Sequence, residues 1–472
     1  MRNRIIYKYI GKVLIGYSGL VFIPFLVGLL FKELYLSYIL AAGISLLLGI
    51  ILNAIKIDNK HLYTRDGFKI VTLSWLLISF IGAIPICIDG HTTVVNSIFE
   101  AISGFTTTGA TIFTDVESLP KSLLFWRDFM HFIGGMGVLA FVMAVIPLAK
   151  NDKSMHLLKA EMPGPSVSKL VPSLKKTLYI LYGIYFGLTL LEIILLLNFG
   201  TPLFDSVLIA FGTAGTGGFS PLNTSAATYS EGAKIVITVF MFLFGVNFNI
   251  YFLLLFKNFK SAFKSEELRT YIGLYLFTVF ILAINSLTLF ANAGEAVLHA
   301  FFNASTFMSS TGFSIGDVNM YPTMCKVWVL FMMVVSSCAG STCGGFKVAR
   351  LVLIFKIIKR DIQKMAHPNT VKVITFDGKK VDEELLNSTK TFMFLYIILI
   401  MLILFVVGFD NHSFEVSLNA VFTTFGNVGL YFEIPNFNIF SDISKIAMSI
   451  GMLLGRLEIY PIIVLLINRR KY

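Results

Sequence analysis

Long apolar runs alternate with short polar ones along nearly the whole chain. Runs of about 20 mostly apolar residues, enough to cross a bilayer as a helix, fall near 10–31, 36–55, 70–88, 128–148, 178–199, 235–256, 271–292, 326–354, 391–409 and 445–467. Ten membrane-spanning helices are therefore expected. The first run is followed by no small-residue cleavage signal and reads as a retained helix. Four shorter half-apolar stretches lie between spans: Thr93–Ser103, Leu203–Gly212, Gly294–Thr306 and Phe414–Phe425. They are too short to span and have the length of re-entrant half-helices. Each carries a phenylalanine in a similar place (Phe99, Phe211, Phe301, Phe422).

Every short stretch runs into a turn rich in small residues. The turns read FTTTGATIF (105–113), AGTGGFSPLN (214–223), MSSTGFSIGD (308–317) and TFGNVGLYFE (424–433). Aligned on one glycine each, they place Gly109, Gly218, Gly312 and Gly429 in register, 109, 94 and 117 residues apart. A unit of long span, short stretch, turn and long span thus occurs four times, the mark of an internal repeat. The expected fold is an all-α polytopic membrane protein, with ten transmembrane helices and four re-entrant pore helices. Its four pseudo-symmetric helix–pore loop–helix units surround a central pore. The divisions are two additional N-terminal helices (1–68), a first pore repeat (69–150), a second (151–257), a third (258–356), a cytoplasmic connector (357–389) and a fourth repeat (390–472).

Glycine suits such a turn because it adopts φ > 0 without a Cβ penalty. Irregular backbone at membrane depth survives only where protein buries it or water wets it. Four half-helices ending at one axis bring the partial negative charge of their C-termini there, which favours a cation. Rings of carbonyl oxygens in place of a hydration shell are how a pore selects potassium. The candidate ligands are the backbone carbonyls of Thr107, Thr108 and Gly109; Thr216, Gly217 and Gly218; Ser310, Thr311 and Gly312; and Asn427, Val428 and Gly429. Potassium at these carbonyls is the only metal expected.

Composition agrees with a membrane protein. The 472 residues are 56% hydrophobic and 14% charged, with mean hydropathy +0.79 and 46 Phe. That excludes a cytosolic enzyme, a disulfide scaffold and a nucleic-acid binder. Cys87, Cys325, Cys338 and Cys343 are scattered through apolar sequence and read as small buried hydrophobes. The net charge of +11 has a topological origin. With the N-terminus inside, the loops Arg2–Lys12, Lys56–Lys69, Lys150–Lys176, Lys257–Arg269, Lys347–Lys390 and Arg469–Lys471 hold 31 of the 38 Lys and Arg residues. Cytoplasmic loops accumulate these residues, so both termini are expected in the cytoplasm. The basic Lys347–Lys390 loop is a candidate docking surface.

The four units with one filter glycine each resemble the Trk/Ktr/HKT superfamily of potassium transporters, and the two extra N-terminal spans are similar to those of its TrkH-type subunits. HFIGGMGVLA (131–140), AEMPGP (160–165), CAGSTCGGFK (338–347), HPN (367–369) and GRLEIY (455–460) carry the resemblance, which covers nearly the whole chain. It implies potassium uptake across a bacterial cytoplasmic membrane by a homodimer in which each protomer has its own pore. It also implies regulation by a cytosolic nucleotide-binding subunit of the TrkA type. A Ktr-type sodium-dependent subunit and a proton-coupled potassium symporter remain open as alternatives. The turns depart from the glycine-rich run of dedicated potassium channels, and the fourth, Asn427-Val428-Gly429, lacks a threonine. Weaker discrimination between potassium and sodium is expected to follow.

Ser336 to Lys347 interrupts a long span with Gly340, Gly344 and Gly345. Interior glycine destabilises a helix by about 1 kcal/mol relative to alanine, so this segment should break or loosen. The resemblance makes it an intramembrane gate (Gly340, Ser341, Thr342, Gly344, Gly345) with Lys347 at the cytoplasmic mouth. A charge at Arg456, inside the last span, must face the protein interior or a wet cavity. The resemblance puts it below the filter as an electrostatic barrier. Glu458, two residues on, cannot face Arg456 on a helix, so each needs another partner. Glu192 reads as a packed, hydrogen-bonded residue. Asp115, Glu117, Asp317 and Glu433 lie just outside the turns, either as an acidic vestibule or as a solvated rim. Among the spans, no H-E-x-x-H or G-x-S-x-G pattern supports a membrane-embedded enzyme. Four related quarters, rather than two halves, argue against an alternating-access carrier.

Overall fold

The computed structural model describes residues 3–57, 64–145, 174–287, 289–290, 292–369, 372–432, 434 and 436–466. The AEMPGP motif, the basic cluster Arg469–Lys471 and Glu433 lie outside the described residues. The fold is mainly helical, and each expected apolar run contains helix among its described residues. In chain order the helices are α1 (Asn3–Leu30), α2 (Ser37–Asn53), α3 (Thr64–Asp89), α4 (Val94–Phe105), α5 (Lys121–Val145), α6 (Leu174–Asn198), α7 (Leu203–Gly215), α8 (Glu231–Phe244), α9 (Phe248–Leu255), α10 (Phe259–Lys264), α11 (Glu266–Ser286), α12 (Ala293–Met308), α13 (Thr323–Val335) and α14 (Val348–Ala366). A two-stranded hairpin follows, β1 (Thr375–Phe376) and β2 (Lys379–Lys380), then α15 (Glu383–Val407), α16 (Phe414–Phe425), α17 (Asp442–Leu457) and α18 (Ile459–Leu466).

Among the described residues, five helices are long and apolar enough to cross a membrane, and the bent pair α8–α9 would make a sixth. Of the other five expected runs, three are broken, α2 is 17 residues long and just too short, and 128–148 extends past the described residues at Val145. The 235–256 run turns through 93° between α8 and α9, where Gly245-Val246-Asn247 leaves the helix and the Asn247 side chain caps α9. The 445–467 run breaks at Glu458, which has φ +61°. Neither break contains proline, so the apolar pattern runs straight through both. The third break, 336–347, is the glycine-marked one.

Packing repeats four times. Each helix built from a short stretch sits between the helices on either side of it in the chain: α4 between α3 and α5, α7 between α6 and α8, α12 between α11 and α13, α16 between α15 and α17. The second flanking helix of each unit also touches the short-stretch helix of the next, α5 on α7, α8 on α12, α13 on α16 and α17 on α4. The circuit closes on itself. Helices α1 and α2 stand outside it as a close pair, where a Cβ on Gly11 would strike the Gly49 carbonyl and the Asn53 amide. Small residues at such a crossing let two backbones approach.

The hairpin lies in the stretch expected to be a bare connector. Its turn residues, Asp377 and Gly378, have φ +50° and +74°. An Asp-Gly pair with both φ positive is the preferred two-residue hairpin turn, a signal the apolar pattern alone does not reveal.

Candidate functional site

The four short helices end alike. In each, the residue two before the aligned glycine is left-handed: Thr107, Thr216, Ser310 and Asn427, with φ from +53° to +57°. Its N–H donates three residues back (Thr107 to Gly104 O 3.1 Å, Thr216 to Thr213 O 3.0 Å, Ser310 to Phe307 O 3.4 Å, Asn427 to Thr424 O 3.3 Å). The next N–H donates five back (Thr108 to Ser103 O 2.8 Å, Gly217 to Gly212 O 2.8 Å, Thr311 to Thr306 O 3.0 Å, Val428 to Thr423 O 2.9 Å). This is the Schellman cap, which normally places glycine at the left-handed position. Here Thr, Thr, Ser and Asn occupy it, at a strain of about 1–3 kcal/mol each. Asparagine tolerates that region better than threonine does, so the fourth turn keeps the conformation without the threonine.

One residue after the cap, Gly109, Gly218, Gly312 and Gly429 return to positive φ, from +74° to +87°. A Cβ on Gly109 would overlap the Gly217 carbonyl oxygen; on Gly218, that of Thr311; on Gly312, that of Val428; on Gly429, that of Thr108. Each glycine therefore lies against the carbonyl that precedes the next glycine, and the fourth meets the first. Four equivalent oxygens form a closed ring at the C-terminal ends of four helices.

Side chains behind the ring hold it. Thr106 and Thr108 share a hydrogen bond of 2.8 Å, and Ser309 and Thr311 one of 2.6 Å, at equivalent positions. Turns two and four have Gly215/Gly217 and Gly426/Val428 there instead. In the fourth turn the Asn427 amide donates to Thr108 Oγ1 and Met452 O, each 2.9 Å. His131 of α5 joins the first two units. Its Nε2 accepts from Phe219 N at 3.2 Å, so Nδ1 carries the proton given to Gly104 O at 2.8 Å. A side chain on Gly217 would strike this imidazole.

A buried ion pair stands beside these groups. Arg127 Nε donates to Glu100 Oε1 at 2.9 Å, and Glu100 also accepts from Thr111 Oγ1 and Ile112 N, both 2.9 Å. The guanidinium lies 4.1 Å from the centre of the Phe219 ring. Sequence reasoning passed over Glu100, Arg127 and His131. The signal was there: a charge within the short stretch Thr93–Ser103, and Arg127 at the mouth of the span containing His131. Breaking a buried pair leaves a bare charge and costs about 3–5 kcal/mol. Arg127→Met is therefore expected to lower the melting temperature in detergent sharply, and Arg127→Met with Glu100→Gln to recover part of the loss. Equal melting temperatures for wild type and Arg127→Met would remove the pair from the account.

The non-helical segment Ser336–Lys347 lies against the left-handed layer of the turns. Thr216 Oγ1 donates to Thr342 O at 3.1 Å, Gly344 N donates to Ser310 Oγ at 3.4 Å, and a Cβ on Gly344 would strike the Asn427 side chain. Gly340 and Gly345 have positive φ, and Ser341 Oγ donates to Cys338 O at 2.6 Å. Arg456 reaches the same place, donating to Thr342 O and, at 3.0 Å, to Gly134 O. Both of these acceptors are backbone carbonyls, while Glu458 pairs with Arg350 of α14. Lys347 is 7% exposed and donates to Cys343 O. Its backbone conformation, φ +80°, turns it inward at the start of α14.

The remaining expectations sort by burial. Glu192 is fully buried, but neither carboxyl oxygen has a hydrogen-bond partner among the described residues, so it is packed without the expected hydrogen bond. Phe99 is fully buried but Phe301 is 37% exposed, so the four phenylalanines share no role. Asp115 accepts from Asn223 Nδ2 at 2.8 Å, Glu117 accepts from Asn223 N at 2.9 Å, and Asp317 accepts from Asn319 N at 2.9 Å. The Asn223 amide holds the Asp115 carboxyl below the usual carboxylate range. These acids fasten loops. The four cysteines are free, and no cluster of metal-binding side chains occurs among the described residues.

The TrkH family, described as cation transport proteins, matches residues 40–470. The chain is 32% identical over 472 residues to the Trk system potassium uptake protein TrkG of Escherichia coli, covering 98% of this chain and 97% of that one. It is 31% identical over 479 residues to the Trk system potassium uptake protein TrkH of Salmonella typhimurium, covering 98% of each. The crystal structure of the potassium transporter TrkH from Vibrio parahaemolyticus superposes with a TM-score of 0.89 at 26% identity, over 99% of both chains. A family match across most of the chain, full-length relatives and a shared fold lead to one conclusion: the chain belongs to the TrkH family of cation transport proteins, a family of membrane transporters and not of enzymes.

Proposed function

We propose that this protein takes up potassium across the cytoplasmic membrane through a gated pore at the axis of its four units. The observation that carries the reading is the closed ring in which each aligned glycine abuts the carbonyl before the next one. Oxygen ligands suit a hard cation, and four helix C-termini add favourable potential. Thr107–Gly109, Thr216–Gly218, Ser310–Gly312 and Asn427–Gly429 would supply the filter carbonyls. The names of the relatives, which are potassium uptake proteins, support potassium as the ion.

In this reading α4, α7, α12 and α16 are re-entrant pore helices, and the ten apolar runs, broken or whole, cross the bilayer with both termini inside. The repeats divide as the sequence divides, with 1–68 added before them and 357–389 between the third and fourth. The segment Gly340–Gly345, with Lys347 and Arg456, forms the gate, a reading supported by the contacts of Thr342 and Gly344 with the turns. A homodimer and a cytosolic nucleotide-binding subunit of the TrkA type complete the assembly. Expression in bacteria lacking their own potassium uptake systems tests the reading. Growth should be restored at low potassium, and a protein present in the membrane without restoring growth would count against it.

A further inference from the structure

Two adjacent carboxylates at the start of α11 connect the cytoplasmic hairpin to the intramembrane segment. Glu267 accepts from Ala339 N at 2.6 Å and from Asn247 Nδ2 at 3.3 Å. It thereby fixes the front of the segment to α11 and to the bend between α8 and α9. Glu266, one residue earlier, grips the hairpin. Its N–H donates to Asp377 Oδ1 at 2.7 Å, its Oε1 accepts from Asp377 N at 3.1 Å, and its Oε2 pairs with Lys356 of α14. Lys356 also donates to Thr375 O at 2.6 Å.

Packing joins the same two places. Ala339 belongs to one apolar cluster with Phe376 of the hairpin, Ile374 and Val381 on either side of it, and Leu353 and Ile357 of α14. The residue whose N–H is held by Glu267 therefore also has its methyl in the core beneath the hairpin. Neighbouring residues on a helix point different ways, which lets Glu266 face the hairpin while Glu267 faces the segment.

We infer that Glu266 and Glu267 are positioning residues that make the hairpin and the segment 336–347 one mechanical unit, so that displacement of the hairpin releases the segment from beneath the turns. The inference rests on the gated-pore reading. The hairpin carries the exposed Lys379 and Lys380 on its outer side, where a cytosolic acidic partner surface could pull on it. Hydrogen bonds to a charged group are stronger than neutral ones, so their loss shifts the closed population by about tenfold.

The test uses the full-length protein in proteoliposomes, with Cys87→Ser and Cys325→Ser leaving Cys338 and Cys343 as the thiols. Alkylation of these buried thiols by a small maleimide reports release of the segment, and rubidium flux reports opening. Glu266→Ala and Glu267→Ala should each raise both readouts about tenfold, with Glu267→Gln, which keeps an acceptor for Ala339 N, staying near the parent. Residues acting in series are not additive, so the double alanine variant should match the larger single effect. Asp377→Gly, which keeps the hairpin turn, should raise both readouts if Glu266→Ala folds poorly. Unchanged alkylation and flux in Glu266→Ala and Asp377→Gly, or a double variant that multiplies the single effects, would overturn the inference. Arg456→Ala separates the causes: flux raised there but not in the latch variants overturns the latch alone, and flux raised in none overturns the gating reading with it.

Discussion

Gly312→Ser is expected to cut rubidium uptake at least about tenfold, or to let sodium compete where it did not, while the protein still reaches the membrane. Two separate effects combine at this position. Gly312 has φ +87°, which an L-residue adopts only under strain, of about 1–3 kcal/mol. Its new Cβ would also overlap the Val428 carbonyl oxygen. That oxygen is backbone, fixed by the hydrogen bond of Val428 N to Thr423 O, and cannot turn aside as a side chain would. The ring must open at the junction of the third and fourth units. Gly273 in α11 is the control, since a Cβ there meets nothing within 4 Å, and Gly273→Ser should transport like wild type. Rubidium and sodium fluxes of Gly312→Ser indistinguishable from those of Gly273→Ser would sink the filter assignment.

Arg456→Ala is expected to raise flux in the closed condition by at least about tenfold, because two charge-assisted hydrogen bonds, each worth about 1.5–3 kcal/mol, hold the segment to its surroundings. The guanidinium ties Thr342 O to Gly134 O, bridging the segment to α5, and Thr342 O also accepts from Thr216 in the second turn. Without the arginine, the segment keeps only neutral contacts on that side. Arg456→Lys retains the charge but not the planar fork that reaches two carbonyls at once, so its flux should fall between the two. Shortening 340–345 should raise flux by removing the obstruction itself. Flux at the wild-type closed level in both Arg456→Ala and the shortened variant would take the gate out of this account.

Much of this architecture was legible in the sequence because apolar length and glycine position are both local signals. The four short stretches, the four aligned glycines and the break at 336–347 all appear as helices, turns and a break. What was not legible depends on contacts between distant parts of the chain. Gly245-Val246-Asn247 bends a run through 93° because the segment 336–347 supplies partners, Cys338 N to Gly245 O and Phe248 N to Gly340 O, both 3.1 Å. The burial of Lys347 was not legible either, since nothing in its neighbours reveals φ +80°. Arg127 looked like one of a few outer basic residues until Glu100, 27 positions away, closed on it. Thr107 and Thr216 could not be read as left-handed, because threonine argues against that conformation and only the helix cap imposes it.

The most direct measurement is rubidium uptake into proteoliposomes of the purified protein, with sodium as competitor and the membrane potential clamped. The account predicts uptake that follows the potential, resists sodium, and rises when Arg456 is replaced or when a TrkA-type subunit with nucleotide is added. Uptake absent at every potential in wild type, in Arg456→Ala and with that subunit present would contradict a pore built from the four glycine turns.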